Sequence, residues 1–76
     1  MKAYVVFDCV EPGIGTANIL AVFTDFQKAR ECAIRAVDAG ISDVGTIFVD
    51  SYNTETGEAD SAWNYKELIV MEVNEE

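Results

Sequence analysis

Hydrophobic and polar residues alternate along the first part of the chain, which predicts two β-strands. In residues 2–10 (KAYVVFDCV) every odd position is apolar, and the even positions are mixed. Alternation of this kind, rich in β-branched and aromatic residues, is typical of a strand with one fully apolar face. The turn-forming run at 11–16 (EPGIGT) interrupts the pattern, and ANILAVF at 17–23 is predicted to be the second strand.

The apolar spacing changes from two residues to about 3.6 at Thr24, which predicts an amphipathic helix. Thr24 and Gln27 have the spacing of a capping box, in which each side chain bonds to the backbone of the other residue. Gly40 is expected to end the helix in a left-handed conformation, with Ile41 supplying the accompanying hydrophobic contact. The stripe that this helix would bury consists of Phe26, Ala29, Ala33, Ala36 and Val37.

Two further strands are predicted in the second half of the chain. Residues 44–52 (VGTIFVDSY) form the third and residues 63–73 the fourth, joined through the acidic stretch DSYNTETGEAD at 50–60. The order β-β-α-β-β predicts an α+β fold, in which a mostly antiparallel four-stranded sheet carries one helix on one face. We expect residues 1–76 to form a single small domain, with a frayed tail at 74–76.

One helix covers only one face of four strands, so the other face is expected to be open. An open face of this kind would be a larger apolar patch than a monomer usually exposes. It therefore indicates a partner, either a second copy of the chain or a host protein. From the alternation, the open face is expected to carry Tyr4, Val6, Leu20, Val22 and Phe48.

The composition argues against catalysis. The chain has no histidine, which is the commonest general base and the commonest transition-metal ligand. The run GIGTAN from Gly13 begins like a dinucleotide fingerprint, but it lacks the third glycine and leads into a strand. We therefore expect a protein that is not an enzyme and has neither a cofactor nor a metal site.

Cysteine usage and hydropathy indicate a cytoplasmic protein. Cys9 and Cys32 lie in apolar patterns without CxxC spacing, as reduced core cysteines do. The N-terminal MKAYVVFDCV meets Asp8 too early for a signal peptide and has no cleavage pattern. No hydrophobic run approaches the roughly 20 residues that a membrane span needs.

Charge is the strongest compositional signal, because the chain has 14 acidic and only 5 basic residues and a net charge of −9. Direct binding to nucleic acid or to an anionic membrane is disfavoured, since phosphate groups are bound by clustered Lys and Arg. The charges of residues 25–38 cancel, so the acidic excess falls on the strands, loops and tail. A surface of one sign steers a complementary partner, which favours a basic one.

The acidic stretch at 50–60 is best explained as a hairpin loop with Gly57 at the position that needs a positive φ. Its acids are in the wrong register for an EF-hand calcium loop. Carboxylates on a loop followed by aromatic residues are typical of a protein interface. The predicted partner-binding residues are Asp50, Glu55, Glu58, Asp60, Trp63 and Tyr65, with Asp8 and Glu11 as further carboxylates.

The opening MKAYVVF, one capped helix inside a small sheet, and loop carboxylates such as Asp50 and Glu55 are shared with a broad class of proteins. In these general features the chain resembles the small acidic proteins that bacteriophages encode to block host defence, anti-CRISPR proteins above all. The resemblance implies a stoichiometric inhibitor in the bacterial cytoplasm. Its carboxylates would replace phosphates in the basic nucleic-acid channel of a host protein or nucleoprotein complex.

An alternative from another class also fits the sequence. The chain would then be a small structural or adaptor protein that forms a homodimer through its open sheet face. Its acidity would serve only solubility.

Overall fold

The computed structural model describes residues 1–11 and 16–71, which form one sheet and two helices. In chain order the elements are β1 (Lys2–Glu11), β2 (Thr16–Phe23), α1 (Phe26–Asp38), β3 (Ile47–Asn53), β4 (Ala59–Asn64) and α2 (Tyr65–Val70). The strand order is β2-β1-β3-β4, and neighbouring strands are antiparallel. The predicted α+β fold with a four-stranded antiparallel sheet is confirmed. The predicted glycine-rich turn between β1 and β2 and the predicted tail lie outside the described residues, apart from the backbone of Glu11 and Thr16.

Helix α1 begins at a different cap from the one predicted. Asp25 is the N-cap, and its Oδ1 accepts a hydrogen bond from the Gln27 backbone N–H at 3.0 Å. Aspartate caps helices at least as well as threonine, because its carboxylate also interacts favourably with the helix dipole. The capping box predicted at Thr24 is therefore wrong by one residue, although the helix itself is where the periodicity places it.

The C-terminus of α1 has the predicted Schellman geometry. Gly40 has a φ of 78°, and its N–H bonds to the Val37 carbonyl at 3.1 Å. The N–H of Ile41 bonds to the Ala36 carbonyl at 2.9 Å. These two bonds satisfy carbonyls that the end of a helix leaves unpaired.

The fourth strand is β4, not the predicted 63–73, because the chain turns into α2 after Asn64. Asn64 Oδ1 accepts from the Glu67 N–H, and Glu67 Oε1 accepts from the Asn64 N–H, both at 2.9 Å. This reciprocal capping box begins a helix within residues 63–73, where the apolar residues had predicted a strand. Leu68 of α2 is fully buried.

Arg30 of α1 attaches the end of α2 to the rest of the fold. Its Nε donates to the Leu68 carbonyl at 2.6 Å, and its Nη2 lies 3.5 Å from the Met71 carbonyl. A cation at a helix C-terminus pairs with unsatisfied carbonyls and with the negative end of the dipole. This contact links residues 38 positions apart in sequence, so no local pattern predicts it.

The core lies between the helices and one face of the sheet. Its buried apolar residues are Val6, Ala29, Ala33, Ala36, Ile47, Val49 and Leu68. Near the N-terminal end of β1, the rings of Tyr4, Phe26 and Trp63 pack together. The ring centroids of Phe26 and Trp63 are 4.7 Å apart. Aromatic packing of this kind adds to the stabilisation from apolar burial.

The face of β1 that packs against the helices is not the one that was predicted. Val6 is fully buried and pairs with Val49 of β3, and directly paired residues share a sheet face. Apolar residues occur on both faces of β1, and the alternation favoured the odd-numbered face, although the mixed face with Val6 is the buried one. The placement of Tyr4, Val6 and Leu20 on the open face is therefore wrong, since all three belong to the core side.

Candidate functional site

The loop between β3 and β4 is a tight hairpin organised by Asn53. The Asn53 carbonyl accepts the Gly57 N–H at 2.7 Å, and Asn53 Oδ1 accepts the Glu55 N–H at 2.8 Å and the Thr56 N–H at 3.3 Å. Asparagine side chains commonly close turns in this way. Gly57 has a φ of 78°, so the predicted hairpin and its left-handed glycine are confirmed.

The base of the hairpin is attached to the start of β1. Thr54 donates two bonds to the Met1 carbonyl, from its N–H and from its hydroxyl, both at 3.0 Å. The Lys2 ammonium forms an ion pair with Asp60, and the hydrogen bond and charge of Asp60 raise the pKa of Lys2. Asp60 is therefore locally neutralised, while the loop gains a fixed orientation.

The carboxylates of Glu55 and Glu58 occupy the tip of this hairpin. Both residues are exposed, and neither forms an ion pair with any residue in the described part of the chain. The Glu55 N–H donates to Asn53 Oδ1, and the Glu58 N–H donates to Thr56 Oγ1, so both backbone groups are hydrogen-bonded within the turn. The hairpin thus presents two unpaired charges from an ordered backbone.

Asp50 lies on the open face of the sheet, directly opposite Val5 of β1 and Ala62 of β4. The Tyr52 hydroxyl donates to Asp50 Oδ2 at 3.3 Å. Partial burial raises the pKa of the Asp50 carboxyl, and the hydrogen bond from Tyr52 opposes this shift by a smaller amount. Asp50 is thus a partly desolvated carboxylate in apolar surroundings.

Apart from Asn64 opposite Phe48, the rest of the open face is largely apolar and extends from Asp50 across the sheet. The rings of Phe7 and Phe48 stack with centroids 5.7 Å apart, and Val22 is confirmed on this face by its pairing with Val5. Strand positions on this face include Ala3, Val5, Phe7, Ile19, Val22, Phe48, Asp50, Tyr52 and Ala62. None of these positions supplies a cation.

A groove continues this face beyond Phe48. It has a volume of about 450 Å³ and is lined by Val44, Phe48, Tyr65 and Ile69, with Lys66 at its edge. The groove exists because α2 follows β4 directly, which the sequence did not predict. Among the predicted aromatic residues, Tyr65 is the one that borders this surface.

Trp63 is placed differently from the prediction, which made it an aromatic anchor on the interface. Its ring packs inside the fold against Phe26 and Tyr4. Trp63 pairs with Val49, a fully buried residue, so it faces the helices and not the open face. Trp63 is a partly buried residue that packs against the core.

Asp8 and Glu11 are not close to the hairpin. Along β1, Lys2 pairs with Asn53 at one end and Asp8 pairs with Ile47 near the other, and Glu11 lies beyond Asp8. The predicted carboxylates therefore divide between two ends of the sheet, with Asp50, Glu55, Glu58 and Asp60 on the β3–β4 hairpin and its strands and Asp8 and Glu11 toward the far end of β1.

A polar cavity of about 350 Å³ lies near Asp8, beside the C-terminus of α1. Asp8 Oδ1 and Ser42 Oγ are both buried there, without a hydrogen-bond partner among the described residues. Asp43 and Thr46 complete the polar lining. The cavity had no signal in the sequence, because it depends on contact between β1 and the loop after α1.

Residues 1–11 and 16–71 contain no group of three or more His, Cys, Asp and Glu side chains placed to hold a metal ion. Cys9 and Cys32 are both free thiols and partly buried. Neither helix in these ranges is long and apolar enough to cross a membrane.

No known protein family, curated protein or solved structure matches this chain significantly.

Proposed function

We propose that the protein is a non-enzymatic binding protein that docks on a basic surface of a partner through its β3–β4 hairpin. The observation that carries this proposal is the pair Glu55 and Glu58, which are exposed and without ion pairs among the described residues on a hydrogen-bonded hairpin tip. A tip that is already ordered loses little conformational entropy on binding. Carboxylates in this position suit Arg and Lys side chains, to which they bind with charge-assisted hydrogen bonds.

The open sheet face extends this contact surface. Asp50 is partly desolvated there, and the strand positions around it bring no cation. A partner that supplied a guanidinium to Asp50 would compensate the lost hydration, while apolar side chains covered Phe7 and Phe48. Charge-assisted bonds at the hairpin and apolar burial on the face would then act together.

A basic surface that binds carboxylates also binds phosphates. We therefore propose that the partner is a protein or nucleoprotein complex of a bacterial host that handles nucleic acid. On this proposal the protein acts as a phage-type inhibitor of the anti-CRISPR kind, in which carboxylates occupy a phosphate-binding channel. The net charge of −9 supports this, because it repels nucleic acid and attracts the proteins that bind it.

A second candidate function is a homodimeric adaptor that pairs through the open face. The exposed Ile19 and Val22 favour it, since both are large apolar side chains in contact with water. Asp50 weighs against face-to-face pairing, because a second copy would bury this carboxylate against strand positions without a cation.

The test compares three immobilised baits in bacterial lysate. The first is the wild type, the second carries Glu55→Lys with Glu58→Lys, and the control carries Glu31→Lys with Asp38→Lys. All four replaced residues are exposed, and the two pairs change the net charge equally. We expect the wild type and the control to retain a nucleic-acid-binding complex that the hairpin variant loses. Equal retention by all three baits would contradict the proposal.

A further inference from the structure

Strand β2 is an edge strand without charged residues or proline to protect it from pairing with another chain. It has eight residues, TANILAVF, and stands at one end of the sheet order. Edge strands present unpaired backbone N–H and C=O groups, and natural proteins commonly blunt them with charged residues or proline. β2 contains neither, and its described protection consists of two irregularities in its register with β1, between Val6 and Phe7 and between Asp8 and Glu11.

Two large apolar side chains lie exposed on this edge strand. Ile19 is 67% exposed and Val22 is 58% exposed. They pair with Phe7 and Val5 of β1, so both point to the open face of the sheet. A strand added next to β2 would cover their outer sides, and β-branched residues are favourable in such cross-strand contacts.

The distribution of charge indicates where a second copy of this chain would bind. Two chains of net charge −9 repel one another, so they associate best where the local charge is smallest. The edge strand β2 is uncharged, and the charges between Asp25 and Asp38 cancel. The opposite edge, β4, follows directly on Glu58, which is exposed and has no ion pair among the described residues, while Asp60 on this strand is paired with Lys2. The neutral edge is therefore the one at which self-association meets the least repulsion.

We propose that two copies associate by antiparallel pairing of their β2 strands, which joins the two sheets into one continuous sheet of eight strands. The outer backbone groups of each β2 would then be paired, and Ile19 and Val22 would pack against the partner strand. The two β4 strands would lie at the outer ends, about 34 Å apart for seven inter-strand spacings. Such a dimer carries two acidic hairpins and binds a repeated basic surface with increased avidity.

The experiment is sedimentation velocity on the wild type and two variants, with no partner present. Val22→Lys places a charge on the edge strand. Val44→Lys is the matched control, because Val44 is also 58% exposed but lies in the turn before β3. Each variant reduces the net negative charge equally, so a general charge effect would act on both in the same direction.

We expect the wild type and Val44→Lys to sediment as dimers, and Val22→Lys to show a dissociation constant higher by at least about tenfold. Added salt should strengthen the dimer by screening its self-repulsion. A monomeric wild type at millimolar concentration would overturn the proposal, as would equal dimerisation of both variants.

Hydrogen exchange of the wild type distinguishes edge pairing from face-to-face packing and does not depend on the folding of a variant. Pairing through β2 predicts that additional amides between Thr16 and Phe23 become protected as protein concentration rises. Protection that does not change with concentration along β2, in a protein that sediments as a dimer, would overturn the proposal.

Discussion

The hydroxyl of Tyr52 donates a hydrogen bond to Asp50 Oδ2 at 3.3 Å, and the two side chains lie next to each other on the open sheet face. They are two positions apart on β3, so the pleat directs both to the same side. Burial raises the pKa of Asp50 and this hydrogen bond lowers it. The pair is therefore a small polar site within an apolar surface, poised to accept a cation from a partner.

We expect Asp50 to titrate above its ordinary value of 3.8 in the folded protein. Since Tyr52 stabilises the ionised form, Tyr52→Phe should raise the pKa of Asp50 further. The measurement is an NMR titration of the Asp50 side-chain carboxyl carbon in both proteins. A value at or below 3.8 in the wild type, or a lower pKa in Tyr52→Phe, would contradict this assignment.

The raised pKa of Asp50 also predicts how the stability of the fold depends on pH. Because the folded pKa of Asp50 is raised above its unfolded value, the native state binds the proton more tightly. The contribution of Asp50 to the free energy of unfolding therefore increases as pH falls through its folded pKa and is lost above it. Asp50→Asn should stabilise the fold at pH 7, measured by urea denaturation, while Glu31→Gln on the exposed helix surface should not.

Gly57→Ala should destabilise the hairpin by about 1–2 kcal/mol, because a Cβ is unfavourable in the left-handed conformation. Gly57 has a φ of 78° and open space around its Cα, so the conformation alone carries the cost. Gly45→Ala is the matched control, since Gly45 also has open space but no left-handed φ. Urea denaturation of the two variants should give clearly different free energies of unfolding. Equal values would show that the loop relaxes to accommodate alanine.

Trp63→Ala should lower the free energy of unfolding by about 3 kcal/mol, the low end for removal of an aromatic residue from a core. The low end applies because Trp63 is only partly buried, against Phe26 and Tyr4. Val70→Ala, at a position that is 73% exposed, is the control and should change stability by less than about 0.5 kcal/mol. An unchanged stability in Trp63→Ala together with lost partner binding would make Trp63 an interface anchor instead.

Features with a local physical cause were predicted well from the sequence. The helix α1 follows from apolar periodicity. Its C-terminus follows from Gly40, because the position after a helix favours a residue that readily adopts the left-handed conformation. The hairpin follows from Gly57 in a polar run. The N-cap was displaced by one residue because Thr24 and Asp25 both have side chains that can cap a helix, and Asp25 is the one that accepts the Gln27 N–H.

Features that depend on contacts between distant residues were not predicted. The buried face of β1 is set by its register with β3, where Val6 meets Val49. Arg30, which lies far away in sequence, attaches the end of the helix α2. The capping box of Asn64 and Glu67 is by contrast a local signal, which the prediction of a strand at 63–73 missed. The wrong face of β1 misplaced Tyr4, Val6 and Leu20, and the missed helix concealed the groove that α2 forms beside Phe48.

The most direct test of the proposed function is competition with nucleic acid for the captured partner complex. A fluorescein-labelled single-stranded oligonucleotide is bound to that complex, and the protein is titrated in while fluorescence anisotropy is recorded. We expect stoichiometric amounts of the wild type to release the oligonucleotide, with an affinity that weakens as salt is added, and we expect no release by the variant carrying Glu55→Lys and Glu58→Lys. Unchanged anisotropy while the wild type is bound to the complex would contradict the account, because the hairpin and the nucleic acid would then occupy separate surfaces.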